Sequence, residues 1–407
     1  MPNVLEGIKV IEVAAMAAGP TAAVILADLG AEVIKIEQPP IGDMWRYGSK
    51  IKGMPPAPTD VLYTTFIQNR TKKSVALNLK TPKAQEVLHK LAATADVFLT
   101  NSPRKVQKEC AHTYDDIKAI KPDIVYAWVN GFGLNGPDKD APGFDMTAWY
   151  SRCGIADELR AKDGAPTTQP VGLGDLNTAI TLAGATMSGL FHRERTGKGS
   201  FVSTSLMNCG LWANSTFLQA ALAGAPPMQK YHRTDWPQPI NGGTFKTKDD
   251  RYVIIVELNP KNAGNVADAM GADHLKSDER FATVELRSKN AQALFAEMQK
   301  IFIQHELSVV EDRLKSFGVN HGVVQTTAEC IRDEHMIANV CFPEVEGAGG
   351  YRTIDSPIQV QGEGLEKVKP QNPPGVGEHT QSELTALGYS EAEIKAMAEA
   401  KAVGLPR

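Results

Sequence analysis

Cysteine is scarce in this 407-residue chain: five residues, at positions 110, 153, 209, 330 and 341, with no pair spaced CxxC. So few and so scattered, they exclude a disulfide scaffold and leave redox and zinc readings weak. The nine histidines show neither HxxxH nor HExxH spacing, so no metal is expected. Positive charge is not in excess either. Lys and Arg number 43 against 47 Asp and Glu, a net charge of −4 that offers nucleic acid no global attraction. The nucleophile-elbow pattern GxSxG and the P-loop pattern are missing, which removes two common hydrolase signatures. The opening MPNVLEGIKVIEV lacks a basic n-region, an apolar stretch and a small-residue cleavage site. No export signal is read there, and the expected location is cytoplasmic. The one long uncharged stretch, Phe201 to Gln229, carries Asn208, Asn214, Gln219 and Pro226-Pro227, which a bilayer disfavours. No membrane partner is expected.

What remains is an ordinary globular balance, 42% hydrophobic and 22% charged, in a chain long enough for about two to three domains. Lys9 to Ala14 is a short apolar run with β-branched residues, the mark of a buried strand. Gly19-Pro20 opens a helix that ends at Gly30, and AEVIKIE follows as a second strand. This β-α-β unit makes the two strands parallel neighbours. The pattern continues with a helix over 83–95, a strand over 96–100, a helix over 114–120 and a strand over 124–130. A helix is expected from Asp175 to about Arg195, a strand over 201–205, and one long helix over 207–223. The Pro/Gly break Gly224-Ala225-Pro226-Pro227 reads as a domain boundary. A hairpin over 243–257 and several helices then predict a smaller α+β domain. The expected layout is a large α/β domain over 1–224, a small domain over 225–342 and a C-terminal segment over 343–407. In that segment Thr380 with Glu383, and Ser390 with Glu393, have capping-box spacing.

The first β-α-β unit invites a dinucleotide reading, with Glu37 near the distance for a ribose contact, but AAMAAGP fills the turn where glycines belong. A literal GxGxxG at 131–136 is followed by PDKDAP instead of a helix, so it has no anion-binding context. The sharpest local feature is Pro170-Val171-Gly172-Leu173-Gly174-Asp175. Two glycines bring a carboxylate to a helix start, where Asp175 is either a helix N-cap or a nucleophile left accessible to an acyl group. Spacing alone does not choose. Asp145, beside Phe144, reads as a second carboxylate of the same pocket or as another cap. Lys35 and Glu37 read by default as solvated residues of a strand end.

Taken together and in order, these segments resemble the class III coenzyme A transferase family. The resemblance runs through Leu5-Glu6-Gly7-Ile8-Lys9-Val10-Ile11-Glu12, Ala18-Gly19-Pro20, Gly30-Ala31-Glu32-Val33-Ile34-Lys35-Ile36-Glu37, Gly42-Asp43 and Asn69-Arg70-Thr71-Lys72. It continues through Leu77-Asn78-Leu79-Lys80, Pro142-Gly143-Phe144-Asp145, Gly172-Leu173-Gly174-Asp175 and Gly377-Glu378-His379-Thr380. The implied fold is a Rossmann-like large domain with a smaller domain, and two chains interlocked like links. The implied reaction moves coenzyme A between two acids, with no permanently bound cofactor.

By resemblance Asp175 is the nucleophile, supported by Asp145, Gly174 and Phe144. The coenzyme contacts fall on Ala17, Ala18, Gln38, Leu77, Lys80 and Asn101. The implied partners are an acyl-CoA, a carboxylic acid and a second chain, either a copy or a homologous subunit. A racemase is the nearest rival of the same fold, but Phe144 stands where racemases carry a proton-bearing histidine. Within the family the chain looks most like the branch acting on aromatic acids, benzylsuccinate with succinyl-CoA as donor first and phenyllactate second. A dicarboxylate acceptor needs a cation, for which Arg46, Arg70 and Arg233 are candidates by charge. Trp149, Trp212, Trp236 and Tyr231 are candidates to pack a phenyl ring. Asn241-Gly242-Gly243 is read as a shortened glycine loop over the acyl site.

Overall fold

The computed structural model describes residues 3–51, 54–57, 61–232, 242–257, 264–362 and 365–406, so Arg233, Trp236 and Asn241 lie outside the described residues. The chain forms two compact units: residues 1–160, 166–228 and 340–407 make the first, and residues 161–165 and 229–339 the second.

The first unit is built on a seven-stranded sheet. Its strands are β1 (Lys9–Val13), β2 (Glu32–Glu37), β3 (Lys73–Leu77), β4 (Val97–Thr100), β5 (Val125–Asn130), β6 (Ser200–Ser205) and, near the C-terminus, β10 (Val403–Gly404). Their spatial order is β10-β3-β2-β1-β4-β5-β6. All pair in parallel except β10, which runs antiparallel to β3. The order 3-2-1-4-5-6 is that of doubly wound nucleotide-binding sheets, and it reverses between β1 and β4.

Helices cover both faces. On one face α1 (Ala18–Asp28) packs Ala22, Ile25 and Leu26 against Val10, Val33 and Val97. On the other, α2 (Pro82–Ala93) sets Val87, Leu88 and Leu91 against Ile11, Ile34 and Phe98. Strands buried on both sides need apolar residues on both faces, which is why β1 and β2 read as continuous runs. A further helix, α3 (Tyr114–Ile120), starts with the capping box Thr113 and Asp116. The π-helical α4 (Asp145–Ser151) follows the loop after β5, and α5 (Leu173–Thr196) leads into β6.

Two local expectations are corrected, and one strand is added. The single helix over 207–223 is two, α6 (Leu206–Ala213) and α7 (Ser215–Leu222), broken at Asn214, whose amide donates to the Cys153 carbonyl at 2.9 Å. The added strand is β3, whose first residues, Lys73-Ser74, are polar; Ser74 is buried through its bond to Glu37. Thr380 does not cap. It is the first residue of helix α8 (Thr380–Ala386), and its hydroxyl accepts the Ala76 N–H at 2.9 Å instead. The second box, Ser390 with Glu393, does form and opens α9 (Glu391–Glu399). Leu384, Ile394 and Met397 join the same apolar cluster as Val75 and Leu77.

The second unit holds the antiparallel sheet β7 (Gly242–Lys246), β8 (Tyr252–Val256) and β9 (His321–Val323). Phe245 stacks on Phe302 at 4.2 Å over a core with Val253, Val310 and Leu314. Gly242 and Gly243 are strand residues paired with Val256 and Ile255, as the expected hairpin from 243 requires, which corrects the competing reading of both glycines as a loop. Among the described residues no helix is long and apolar enough to cross a membrane.

Candidate active site

The topology gathers the predicted residues at one edge of the large sheet. Ala17 and Ala18 lie just past β1, Gln38 directly follows β2, Leu77 ends β3 with Lys80 three residues beyond, and Asn101 directly follows β4. All are at the carboxyl ends of parallel strands, where doubly wound folds take their ligands. Helix α5 runs into the start of β6, so its own first turn, with Asp175, also points to that edge.

Ala17, Ala18 and Leu77 are buried, whereas Gln38 and Lys80 are exposed. Asn101 turns its amide onto the β1–α1 turn, accepting from Ala15 N–H at 3.1 Å and donating to the Ala15 carbonyl at 2.7 Å.

Asp175 is not the N-cap of α5. That place is held by Gly172 at φ +83, a left-handed conformation that glycine takes without strain. Asp175 is the third helical residue, half-buried, and no described side chain or N–H is seen bonding its carboxylate. Burial first, and the Asp145 carboxylate second, push its pKa up to about 7. The positive end of the helix opposes this and is outweighed.

Asp145 is buried and differently served. It accepts from Met146 N–H at 2.7 Å, Gln169 Nε2 at 3.0 Å and Gly172 N–H at 3.0 Å. Its bond to Gly172 fixes the residue from which α5 starts. Gln169 is a member of this site that sequence reading missed, since a lone glutamine carries no pattern.

Gly174 is required by crowding. A Cβ there would stand 2.7 Å from Trp149 Cγ and 2.9 Å from Asp145 Cβ. Trp149 is accordingly buried in the core with Tyr150, Leu206 and Cys209. Phe144 is 61% exposed beside this pocket and Trp212 is 81% exposed. Tyr231 belongs to the second unit.

Two further expectations are overturned. Lys35 and Glu37 are fully buried rather than solvated. Lys35 Nζ bridges Glu12 and Asp43, each at 2.9 Å; Lys72 Nζ also meets Glu12 at 2.5 Å. Glu37 accepts from Arg46 Nε at 2.7 Å and Ser74 Oγ at 2.6 Å, and its pKa is held at about 2 against the cost of burial. Arg46 is therefore committed to Glu37, and Arg70 is buried on Asp28 at 2.7 Å, so neither is free to meet a substrate carboxylate. The signal for this network was present in the strands VIEV and VIKIE, where charges sit inside runs that are apolar on both faces.

The GxGxxG segment at 131–136 forms no helix start; Gly131 packs on the Gly143 backbone, and Gly133 N–H caps onto Asn130. Among the described residues no three His, Cys, Asp or Glu side chains converge on a metal-sized site.

Residues 5–380 match the model of CoA-transferase family III. The cinnamoyl-CoA:phenyllactate CoA-transferase of Clostridium sporogenes is 31% identical over 98% of this chain and 97% of its own length. The (R)-2-hydroxy-4-methylpentanoate CoA-transferase of Clostridioides difficile is 30% identical over 98% of this chain and 99% of its own. The crystal structure of a CAIB/BAIF family protein from Brucella suis superposes with a TM-score of 0.83 at 28% identity, covering 95% of this chain and 100% of that one.

Proposed function

The chain belongs to the class III CoA-transferase family and is a CoA-transferase, and from that premise we propose that Asp175 is its nucleophile. One observation carries the proposal: a half-buried carboxylate with no bonded donor among the described residues, poised near neutral pH, in a glycine-lined crowd at the ligand edge of the sheet. A poorly solvated carboxylate is a stronger nucleophile than a hydrated one.

In the proposed sequence an Asp175 oxygen attacks the donor thioester carbon, the C–S bond breaks, and CoA leaves as the thiolate. The product is a mixed anhydride. The thiolate then attacks the aspartyl carbonyl, releasing the donor acid as a carboxylate and leaving an aspartyl-CoA thioester. An acceptor carboxylate repeats these steps in reverse. Each intermediate is an activated acyl group, so exclusion of water protects it from hydrolysis. The coenzyme is placed along Ala17, Ala18, Gln38, Leu77, Lys80 and Asn101. A racemase is disfavoured because Phe144 has no proton to move.

The acceptor is placed among 2-hydroxy acids with a bulky apolar side chain. Two relatives support this by name, acting on phenyllactate and on 2-hydroxy-4-methylpentanoate. A second reading, benzylsuccinate with succinyl-CoA as donor, keeps the aryl group but needs a cation for its second carboxylate. Of the cation candidates among the described residues, Arg46 is buried on Glu37 and Arg70 on Asp28, which favours the 2-hydroxy acid. The partner chain is placed over α7, which buries none of its eight residues although it contains Phe217, Leu218 and Leu222.

The deciding experiment has two parts. Incubation with cinnamoyl-CoA or succinyl-CoA and hydroxylamine should modify the Asp175 peptide alone by mass spectrometry. Kinetics with phenyllactate, benzylsuccinate and oxalate should give phenyllactate the highest kcat/KM. Oxalate in first place would refute the acceptor class and leave the transferase intact.

A further inference from the structure

The turn between β1 and α1 holds a backbone conformation that its residue type resists. Met16 sits at φ +67, a left-handed region that glycine adopts freely and side-chain-bearing residues avoid. Three side chains hold it there. Asp43 accepts the Met16 N–H through both oxygens, at 3.0 and 3.1 Å. Asn101 closes two bonds on Ala15, at 3.1 and 2.7 Å. Lys35 donates to the Ala14 carbonyl at 3.2 Å and to Asp43 at 2.9 Å.

Asp43 is itself seated. Its N–H bonds Glu37 Oε1 at 2.9 Å, and its carboxylate also receives Trp45 N–H at 2.9 Å. The packing leaves no slack, since a Cβ on Gly19 would lie 2.8 Å from Ala14 Cβ. In other doubly wound sheets this turn is shaped by a glycine fingerprint, which AAMAAGP lacks.

We infer that Asp43 is a positioning residue for coenzyme A, helped by Asn101 in addition to the contact proposed for it: by clamping Met16 and Ala15 they fix the turn that carries Ala17 and Ala18, replacing glycines with side-chain bonds. The inference rests on the reading of Ala17 and Ala18 as coenzyme contacts. Without the clamp the turn samples other conformations, and apparent affinity falls by the fraction of time it is competent.

The test measures the dissociation constant of the full-length enzyme for free coenzyme A by calorimetry. Asp43→Asn should weaken binding about tenfold, as for a turn competent one time in ten. Met16→Val leaves every buried charge in place and should weaken binding in the same direction, because a β-branched residue tolerates the left-handed region least. Adding Met16→Gly to Asp43→Asn should recover most of the lost affinity, which a general loosening of the fold would not do. If Asp43→Asn fails to fold, Met16→Val decides alone. In the unaltered enzyme, hydrogen exchange over residues 14–21 should slow when coenzyme A is added. Slowed exchange with unchanged affinity in Met16→Val overturns the clamp and leaves the coenzyme site standing. Unchanged exchange removes the coenzyme from this turn, and the clamp with it.

Discussion

Asp145 and Asp175 are neighbouring carboxylates with opposite surroundings: Asp145 accepts three N–H groups, whereas Asp175 has no donor bonded to it among the described residues and feels Asp145 as a like charge. Asp145 also holds Gly172, and so sets both the place and the charge state of the residue three positions on.

The first consequence is a pH dependence. As the proposed nucleophile Asp175 attacks a thioester only in its carboxylate form, and with its pKa near 7 it is half protonated at neutrality. Single-turnover acylation should rise with pH through about 7 and then level off. Asp145→Asn removes the neighbouring negative charge, so the limb should move to lower pH while the plateau falls from misplacement of α5. A limb that stays put in this variant would exclude Asp145 as a cause of the shift.

Stability should move against activity. The Asp175 pKa is raised from 3.8 to about 7 on folding, so its contribution is fully present below 3.8 and is lost as pH rises to 7. Above that, the charged carboxylate opposes the fold. Asp175→Asn should abolish transfer yet raise Tm at pH 8 by about 2 °C or more, with a smaller gain at pH 5. Equal gains at the two pH values would contradict burial of the charged form. Retained transfer would end the nucleophile assignment.

Gly174→Ala should damage both properties. The new methyl group meets the Trp149 ring and Asp145 at under 3 Å, and both are buried. Overpacking of this kind costs about 1–3 kcal/mol, which denaturant titration can measure, and it displaces the adjacent Asp175. Unchanged stability with full activity would show that the first turn of α5 has room that its geometry denies.

A partner chain should be inseparable from the active protein. Helix α7 buries none of its own residues, and Trp212 and Leu222 are each 81% exposed. Sedimentation at micromolar concentration should give a dimer or larger, and amides of α6 and α7 should exchange slowly. A stable, active monomer would refute this and the interlocked arrangement expected from the family.

Much of the architecture could be read from local pattern. β1 and β2 carry β-branched runs, Pro82 sits at the start of α2, and Ser390 with Glu393 opens α9, because strand burial, proline geometry and capping act within a few residues. The Gly172-Leu173-Gly174-Asp175 segment placed the candidate nucleophile at a helix start by the same logic.

Other features depended on residues far apart in the chain. Asn214 breaks a helix because the Cys153 carbonyl, 61 positions earlier, takes its amide. Lys35 and Glu37 read as solvated because nothing nearby offers them partners; Glu12, Asp43 and Arg46 arrive only once the strands have aligned. A charge becomes tolerable in a core only when its counter-charge is already there, and that pairing belongs to the assembled sheet. The sequence by itself determined the strand and helix order, the glycine-flanked aspartate and the family resemblance. Tertiary structure alone decided the strand order 3-2-1-4-5-6, the burial of the charged network and the state of Asp175. Desolvation and long-range pairing exist only when distant segments meet.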